Sequence, residues 1–123
     1  MRGVASSAAP LDCASTIKLI GEDDFARLMR RRPALLEGAV GSCSIFCIEQ
    51  DGKRLYPSFF VDSGYRRRDL YLICRRLGAL PGGSKLQFFA QAKASLGGIT
   101  PLEALHRGMM VQVLRAAEGF AAR

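Results

Sequence analysis

The chain has 123 residues, of which 49% are hydrophobic, and it carries a net charge of +7 at pH 7. This length fits one domain with a modest core, and this composition excludes an intrinsically disordered chain. The longest apolar runs fall far short of the ~20 residues of a membrane span, and residues 1–10 lack the continuous apolar centre of a secretory signal.

We therefore predict a cytoplasmic protein that has no membrane association. Positive charge is concentrated in its second half: residues 1–60 hold 8 Lys/Arg and 7 Asp/Glu, whereas residues 61–123 hold 10 and 4. A basic half favours an acidic partner, which is a protein, a nucleic acid or a membrane surface. An ordinary solvated surface explains the same composition.

The four cysteines do not form Cys-x-x-Cys pairs, and His106 is the single histidine. A zinc site needs four ligands, usually in short paired spacings. We therefore predict no metal site and no cofactor. The cysteines are interpreted as reduced thiols that pack as small apolar residues. They are Cys13, Cys43, Cys47 and Cys74.

The N-terminal part is predicted to be a flexible tail over residues 1–15, followed by a short helical segment over residues 16–42. Residues 22–30 read as a helix whose acids come first and whose bases come last, which suits the helix dipole. Pro33 opens a second short helix that ends near Gly38. The apolar face of the first helix is predicted from i, i+3, i+4 spacing as Phe25, Leu28 and Met29.

A β-hairpin is predicted next. Residues 44–49 form a strand, Asp51-Gly52 is a two-residue turn, and residues 53–56 return. Pro57 cannot donate a ladder hydrogen bond, so the return strand is an edge strand or ends there. The predicted buried side chains of this region are Phe46, Ile48, Leu55 and Phe59.

Three longer helices are predicted from apolar periodicity, over residues 67–77, 85–95 and 109–120. Gly78 stops the first helix, residues 80–83 form a loop, and Ser84 caps the second helix. The methionine-containing stripe of the last helix is interpreted as core. The predicted stripes are Leu70, Ile73, Cys74 and Leu77 in the first helix, Leu86, Phe88, Phe89, Ala90 and Ala92 in the second, and Met110, Val113, Leu114 and Ala117 in the third.

The densest run of local signals lies between the last two helices. Gly97-Gly98 ends the preceding helix, because glycine takes the left-handed conformation without a steric cost. Thr100 is a helix N-cap, Pro101 occupies the first helical position, and Glu103 completes a capping box. Gly108 closes this short helix.

This run, LGGITPLEALHRG, resembles the Leu-Gly-Gly-x-(Ser/Thr)-Pro-Leu-x-x-Leu-x-x-Gly motif in the toxin-binding domain of Xre/MbcA/ParS-type antitoxins. A second segment, DGKRLYPSFF, is similar to the Gly-x-x-x-Tyr-Pro-x-Phe-Gln segment upstream in that family, with Phe60 in place of Gln. The resemblance covers roughly residues 46–122. Its structural motif residues are Gly97, Gly98, Thr100, Pro101, Leu102, Glu103, Leu105, Gly108, Tyr56 and Pro57.

The predicted fold is α+β and mostly α, with a short hairpin packed on four to six helices and a toxin-binding domain over residues 43–123. The resemblance implies an antitoxin, not an enzyme, whose cognate protein toxin has the RES fold and consumes NAD. It implies that the C-terminal helical region covers the toxin's active-site entrance. We predict partner contacts at Arg107, Met109, Arg115 and Arg123, and a homodimer is left open.

Many members of that family carry a DNA-binding helix-turn-helix ahead of the toxin-binding domain. Residues 16–42 are too short for a complete unit, so we interpret them as a reduced, structural remnant. The alternative function is a small basic nucleic-acid-binding transcriptional regulator. Its predicted contacts are Arg30, Arg31, Arg32, Arg66, Arg67, Arg68, Arg75 and Arg76. The Arg30–Arg32 run is more typical of a solvated helix end.

No catalytic residues are predicted. The chain lacks a Gly-x-x-x-x-Gly-Lys-(Ser/Thr) phosphate loop and a Gly-x-Ser-x-Gly nucleophile elbow. One histidine and scattered carboxylates do not form a persuasive acid–base pair. His106 is therefore interpreted as an exposed or partner-facing residue.

Overall fold

The computed structural model describes residues 17–122. The predicted tail over residues 1–15, Cys13 and Arg123 lie outside this range. Within it the fold is α+β and mostly α, as predicted, with six α-helices and a three-stranded antiparallel sheet. The elements are β1 (Leu19–Gly21), α1 (Glu22–Met29), α2 (Pro33–Gly41), β2 (Ile48–Gln50), β3 (Lys53–Pro57), α3 (Arg67–Leu77), α4 (Gly82–Ala90), α5 (Pro101–His106) and α6 (Met110–Ala121), with 3-10 turns at Ser58–Val61 and Ala94–Leu96.

The sheet contains the predicted hairpin, formed by β2 and β3. Asp51 and Gly52 take left-handed φ values of 54° and 75°, which suit a two-residue hairpin turn. The prediction that the first strand begins at Ser44 is wrong, because β2 begins at Ile48. Ile45 and Phe46 are both buried, although successive side chains of a strand point to opposite faces. This irregular segment therefore supplies the core.

The return strand β3 is central, in the order β1-β3-β2, so the expectation of an edge strand is wrong. The alternative, that the strand ends at Pro57, is confirmed. The third strand, β1, was missed. It pairs with β3 in the register Leu19↔Pro57 and Ile20↔Tyr56. Because Pro57 is the last residue of β3, the next amide, Ser58 N–H, donates to the Lys18 carbonyl at 2.8 Å.

The N-terminal helices differ from prediction in two details. Leu28 does not belong to the buried face of α1, since 53% of it is exposed, and Ala26 is buried there beside Phe25 and Met29. In α2 the helix continues through Gly38 to Gly41. An isolated glycine costs a helix only about 1 kcal/mol, so Gly38 does not stop it.

Helix α3 has the predicted bounds, its four stripe residues are buried, and Gly78 ends it at φ 66°. The predicted helix over residues 85–95 is wrong at both ends, since α4 starts at Gly82 and ends at Ala90. Ser84 lies inside the helix and does not cap it. Gly82 is required at this point, because a Cβ there would lie 2.0 Å from the Cys47 carbonyl oxygen.

An aromatic cluster forms the centre of the core. The Phe25 and Tyr56 rings stack at 4.4 Å, and Phe46 packs against Phe59, Phe60 and Phe89. Phe46 and Phe59 are buried as predicted, whereas Ile48 and Leu55 are only half-buried. Ala92 of the predicted α4 stripe is exposed. Among the described helices, none combines the length and the apolar character needed to cross a membrane.

Candidate partner-binding surface

The Gly97-Gly98 pair closes a short loop. Gly97 and Gly98 have φ values of 79° and 88°, and Gly98 N–H donates to the Lys93 carbonyl at 2.9 Å. Lys93 and Ile99 form an isolated antiparallel bridge. The prediction that this pair ends a long helix is therefore corrected, because α4 stops at Ala90 and the glycines reverse the chain after a 3-10 turn.

The capping of α5 agrees with prediction in one of its two hydrogen bonds. Thr100 Oγ1 accepts from Glu103 N–H at 3.1 Å, and Pro101 is the first helical residue. In a capping box the Glu103 carboxylate would accept from the Thr100 N–H. In the structure it accepts from Arg107 Nε at 3.3 Å instead. Gly108, at φ 76°, ends α5 as predicted and leads into α6.

Helices α3 and α6 pack side by side and run parallel. At their C-terminal ends, the Arg76 guanidinium forms an ion pair with the Glu118 carboxylate. At their N-terminal ends, Arg66 and Asp69 line the same cleft as Gly108 and Met110. The α5–α6 junction therefore places α6 along the whole length of α3.

The cleft at the N-terminal end has a volume of about 390 Å³ and contains His106. The imidazole lies 4.4 Å from the Tyr65 ring. Burial raises the pKa of Tyr65, and the Asp62 and Glu103 carboxylates add to the rise. A Cβ on Gly64 would lie 3.2 Å from His106 Cε1, so glycine makes room for the imidazole. His106 is exposed, as predicted, and its packing on Tyr65 was not predicted from the sequence.

The outer side of the helix pair is basic with aliphatic residues between the charges. Leu72 is 38% exposed and Val111 is 59% exposed. Arg68, Leu72 and Arg75 follow i, i+4, i+7 spacing, which places them on one side of α3. We call this surface the α3–α6 face. Its residues are Arg68, Leu72, Arg75 and Arg76 of α3, with Val111, Arg115 and Glu118 of α6.

The four predicted partner contacts lie in different settings. Arg115 lies on the α3–α6 face, and Met109 is half-buried immediately before α6. Arg107 is exposed but bound to Glu103. Arg123 lies outside the described residues. The structure therefore brings one of the predicted contacts, Arg115, together with arginines of α3 that were not among the predicted partner contacts.

Tyr56 and Pro57 of the upstream motif belong to the core. Tyr56 is fully buried, and its hydroxyl donates to Glu22 Oε2 at 3.2 Å. Burial raises the pKa of Tyr56 well above its ordinary value, and Glu22 adds to the rise. The contacts of Tyr56 with Glu22 and Phe25 hold α1 on the sheet. In the downstream motif, Leu102 and Leu105 are half-buried against the core, and Ala104 is fully buried.

The arginines assigned to nucleic acid lie in the loop between α1 and α2 and on α3. Arg30 caps the end of α1 at φ 59°, and Arg32 precedes α2. Arg31 lines a cleft of about 350 Å³ that also contains Tyr71 of α3. Arg67 Nε donates to the Phe60 carbonyl at 3.2 Å, whereas Arg68 lies on the α3–α6 face.

On the sheet side, a larger cleft of about 720 Å³ is lined by residues of both charge signs, among them Asp23, Asp24 and Lys53. Arg54 Nη1 lies 3.2 Å from Glu37 Oε1 and 3.8 Å from Glu22 Oε2. Nearby, burial raises the pKa of the Cys47 thiol, although Arg54 opposes the rise. Over residues 17–122, no three His, Cys, Asp or Glu side chains are grouped to hold a metal ion.

Sequence reasoning missed Leu72 and Val111. A signal was available in the sequence. Leu72 lies on the arginine-rich side of α3, away from its buried stripe, and Val111 lies away from the buried stripe of α6. The missed Arg76–Glu118 contact had no local signal, because it joins helices that are far apart in the chain.

Comparisons with protein-family models, with curated proteins and with solved structures find no match to this chain. Function is therefore inferred from the α3–α6 face and from the motif over residues 96–108.

Proposed function

We propose that this chain is an antitoxin that binds and neutralises a cognate protein toxin through its C-terminal helices. The supporting observation is that the motif over residues 96–108 forms the turn and the capped helix that lead into α6. Thr100 and Gly108 determine where α5 begins and ends, and α6 then presents Val111 and Arg115 to solvent. A binding function of this kind requires no catalytic group in the antitoxin.

The proposed mechanism is occlusion of the toxin's active-site entrance. Toxins of the RES fold consume NAD, so their sites must attract an anionic ligand. The Arg123 guanidinium is suited to bidentate contacts with carboxylates and with phosphate groups, so its partners at that site would be acidic groups. We propose that the end of the chain, with Arg123, fills that site while α5 and α6 cover its entrance. The proposed location of both proteins is the cytoplasm.

The test is co-expression with the product of the neighbouring open reading frame. That product alone is expected to arrest growth and deplete NAD, and the full chain is expected to restore both and to co-purify with it. Failure of the wild-type chain to co-purify or to protect would contradict the antitoxin proposal.

The blocking role of the chain's end needs a point variant. A deletion of residues 119–123 also removes Phe120, whose ring lies 5.4 Å from Phe88 and 4.6 Å from the Lys93 ammonium. The deletion therefore disturbs packing, and Arg123→Ala is the matched variant that leaves it intact. If Arg123→Ala protects cells as well as the wild type, the blocking role is wrong and toxin binding stands.

The alternative proposal is a nucleic-acid-binding regulator, and one observation favours it. Arg31 and Tyr71 line one cleft, so the basic loop after α1 lies beside α3. Phosphate contacts would make the affinity fall steeply with salt. For an antitoxin with only a remnant of a DNA-binding unit, we expect weak duplex binding without sequence preference. A footprint on its own promoter at physiological salt, lost in Arg31→Ala, would establish the regulator instead.

A further inference from the structure

We propose that the α3–α6 face binds a protein partner that presents carboxylates around an aliphatic patch, so that α3 shares the partner contact with α6. The inference rests on the proposed function and extends the partner contact to a second helix. None of the predicted partner contacts lies in residues 67–77, and the arginines of α3 were assigned to nucleic acid from the sequence.

The first step is the apolar centre of the face. Within residues 17–122, four large apolar side chains are exposed, and Leu72 and Val111 are two of them. Single exposed apolar residues are common on protein surfaces, so exposure alone decides nothing. These two, however, lie on adjacent helices that are joined by the Arg76–Glu118 ion pair. Leu72 and Val111 thus give each of the two helices an exposed aliphatic side chain among charged ones, and protein interfaces combine apolar and charged groups in this way.

The second step is the state of the charges. Arg68, Arg75 and Arg115 form no ion pair with any carboxylate of the described residues, whereas Arg76 is paired with Glu118. The paired arginine joins the two helices, and the three others are available to a partner. Because guanidinium groups bind carboxylates in a bidentate manner, the complementary surface is acidic.

The third step separates a protein from a nucleic acid. Single-stranded nucleic acids are bound on aromatic side chains, but the exposed centre of this face is aliphatic. Duplex binding depends mainly on contacts with phosphates, which Leu72 and Val111 cannot make. A protein with an acidic border and an aliphatic centre satisfies all of these groups.

The experiment measures the affinity of the purified full chain for the product of the neighbouring open reading frame by calorimetry. Arg75→Glu/Arg115→Glu reverses two charges on the face. Arg31→Glu/Arg32→Glu reverses two exposed charges in the loop before α2, with the same change in net charge. The face variant is expected to lose about 100-fold in affinity, and the loop variant only about threefold. Thermal melting verifies that both variants are folded.

A third variant, Leu72→Ala, removes aliphatic surface without changing charge and is expected to weaken binding by about fivefold. If the wild type binds and the face variants bind equally well, the role of α3 is wrong and the proposed function stands. Equal losses in the face and loop variants would overturn the inference in favour of a general charge effect. Binding of a random-sequence DNA duplex that only the face variant loses would assign the face to nucleic acid. Absence of wild-type binding overturns the proposed function and this inference together.

Discussion

The sheet side and the α3–α6 face use the same residue type in opposite ways. On the sheet side, Arg54 of the central strand lies near carboxylates of two helices, Glu22 and Glu37. On the α3–α6 face, Arg75 and Arg115 have no carboxylate partner among residues 17–122. The first arginine joins β3 to α1 and α2, and the other two remain available for binding.

The apolar residues of the two regions differ in the same way. Under the sheet, Phe25 and Tyr56 are fully buried and stacked on one another. On the face, Leu72 and Val111 remain exposed without a requirement from the fold. Groups that are satisfied within the chain determine the fold, and groups that are left unsatisfied are the ones to which we assign the proposed partner contact. Four predictions test this separation.

The largest effect is expected at the stacked pair under the sheet. Phe25→Ala removes a fully buried ring, and we expect the free energy of unfolding to fall by about 3–5 kcal/mol. Leu28→Ala, on the exposed side of the same helix, is the control and is expected to change it by less than about 0.5 kcal/mol. Urea denaturation measures both. Similar losses would show that α1 contributes to stability through its outer side as well.

The next effect concerns the turn that places α6 against α3. Gly98 has a φ of 88°, and beyond its two chain neighbours no residue has an atom within 4 Å of the Cβ position there. The cost of Gly98→Val is therefore backbone strain, about 1–3 kcal/mol of unfolding free energy. Gly119→Ala, within α6, is the matched control and is expected to gain about 0.5–1 kcal/mol. A variant Gly98→Val that melts like the wild type would contradict the assigned turn.

An intermediate effect is expected at alkaline pH. Burial raises the pKa of Cys74 from 9.0 to about 12, with smaller influences from Lys85 and Cys43. Burial also raises the pKa of Tyr56. Between pH 9 and 12 the unfolded chain loses a thiol proton that the folded chain keeps, so stability falls as pH rises.

Cys74→Ala tests this origin. The variant is expected to be less stable than the wild type at pH 7, because it leaves a cavity. Its denaturation midpoint is expected to decline less between pH 9 and 10, since the buried thiol is gone. Equal declines in wild type and variant would assign the alkaline loss to other groups, such as Tyr56.

The smallest effect is expected at the ion pair between α3 and α6. The Arg76 and Glu118 side chains are about half exposed, and solvent screens their attraction. We expect Glu118→Gln to lower the free energy of unfolding by at most about 1 kcal/mol, measured by urea denaturation. A much larger loss would show that this contact stabilises the fold. The distinction between a sheet side that stabilises the fold and a face that is available for binding would then not hold for this ion pair.

The elements that were predicted correctly depend on local signals. Gly78 ends α3, Thr100 and Pro101 begin α5, and Gly108 separates α5 from α6. Strand β1 was missed because it has three residues and exists only through pairing with β3, more than thirty residues later. Leu28 was assigned to the core because its spacing from Phe25 fits the apolar face equally well. Tertiary contacts decide which side of α1 is buried.

The candidate surface was predicted only in part. Arg115 was identified from the last helix, and it lies on the α3–α6 face. Arg68 was assigned to the alternative function, because sequence spacing does not show that α3 lies beside α6. That arrangement depends on the cleft at one end of the two helices and the ion pair at the other. Arg67 was placed with Arg68, but its Nε binds the Phe60 carbonyl.

The strand order β1-β3-β2 also has a consequence for the sequence of folding events. The β2–β3 hairpin closes over a two-residue turn, so it needs no distant residue and forms on the microsecond scale of hairpins. Strand β1 precedes the hairpin in the chain, yet its pairing requires β3 and the closure of a long loop. During synthesis, β1 and α1 therefore cannot dock on β3 until the chain has been made as far as Pro57.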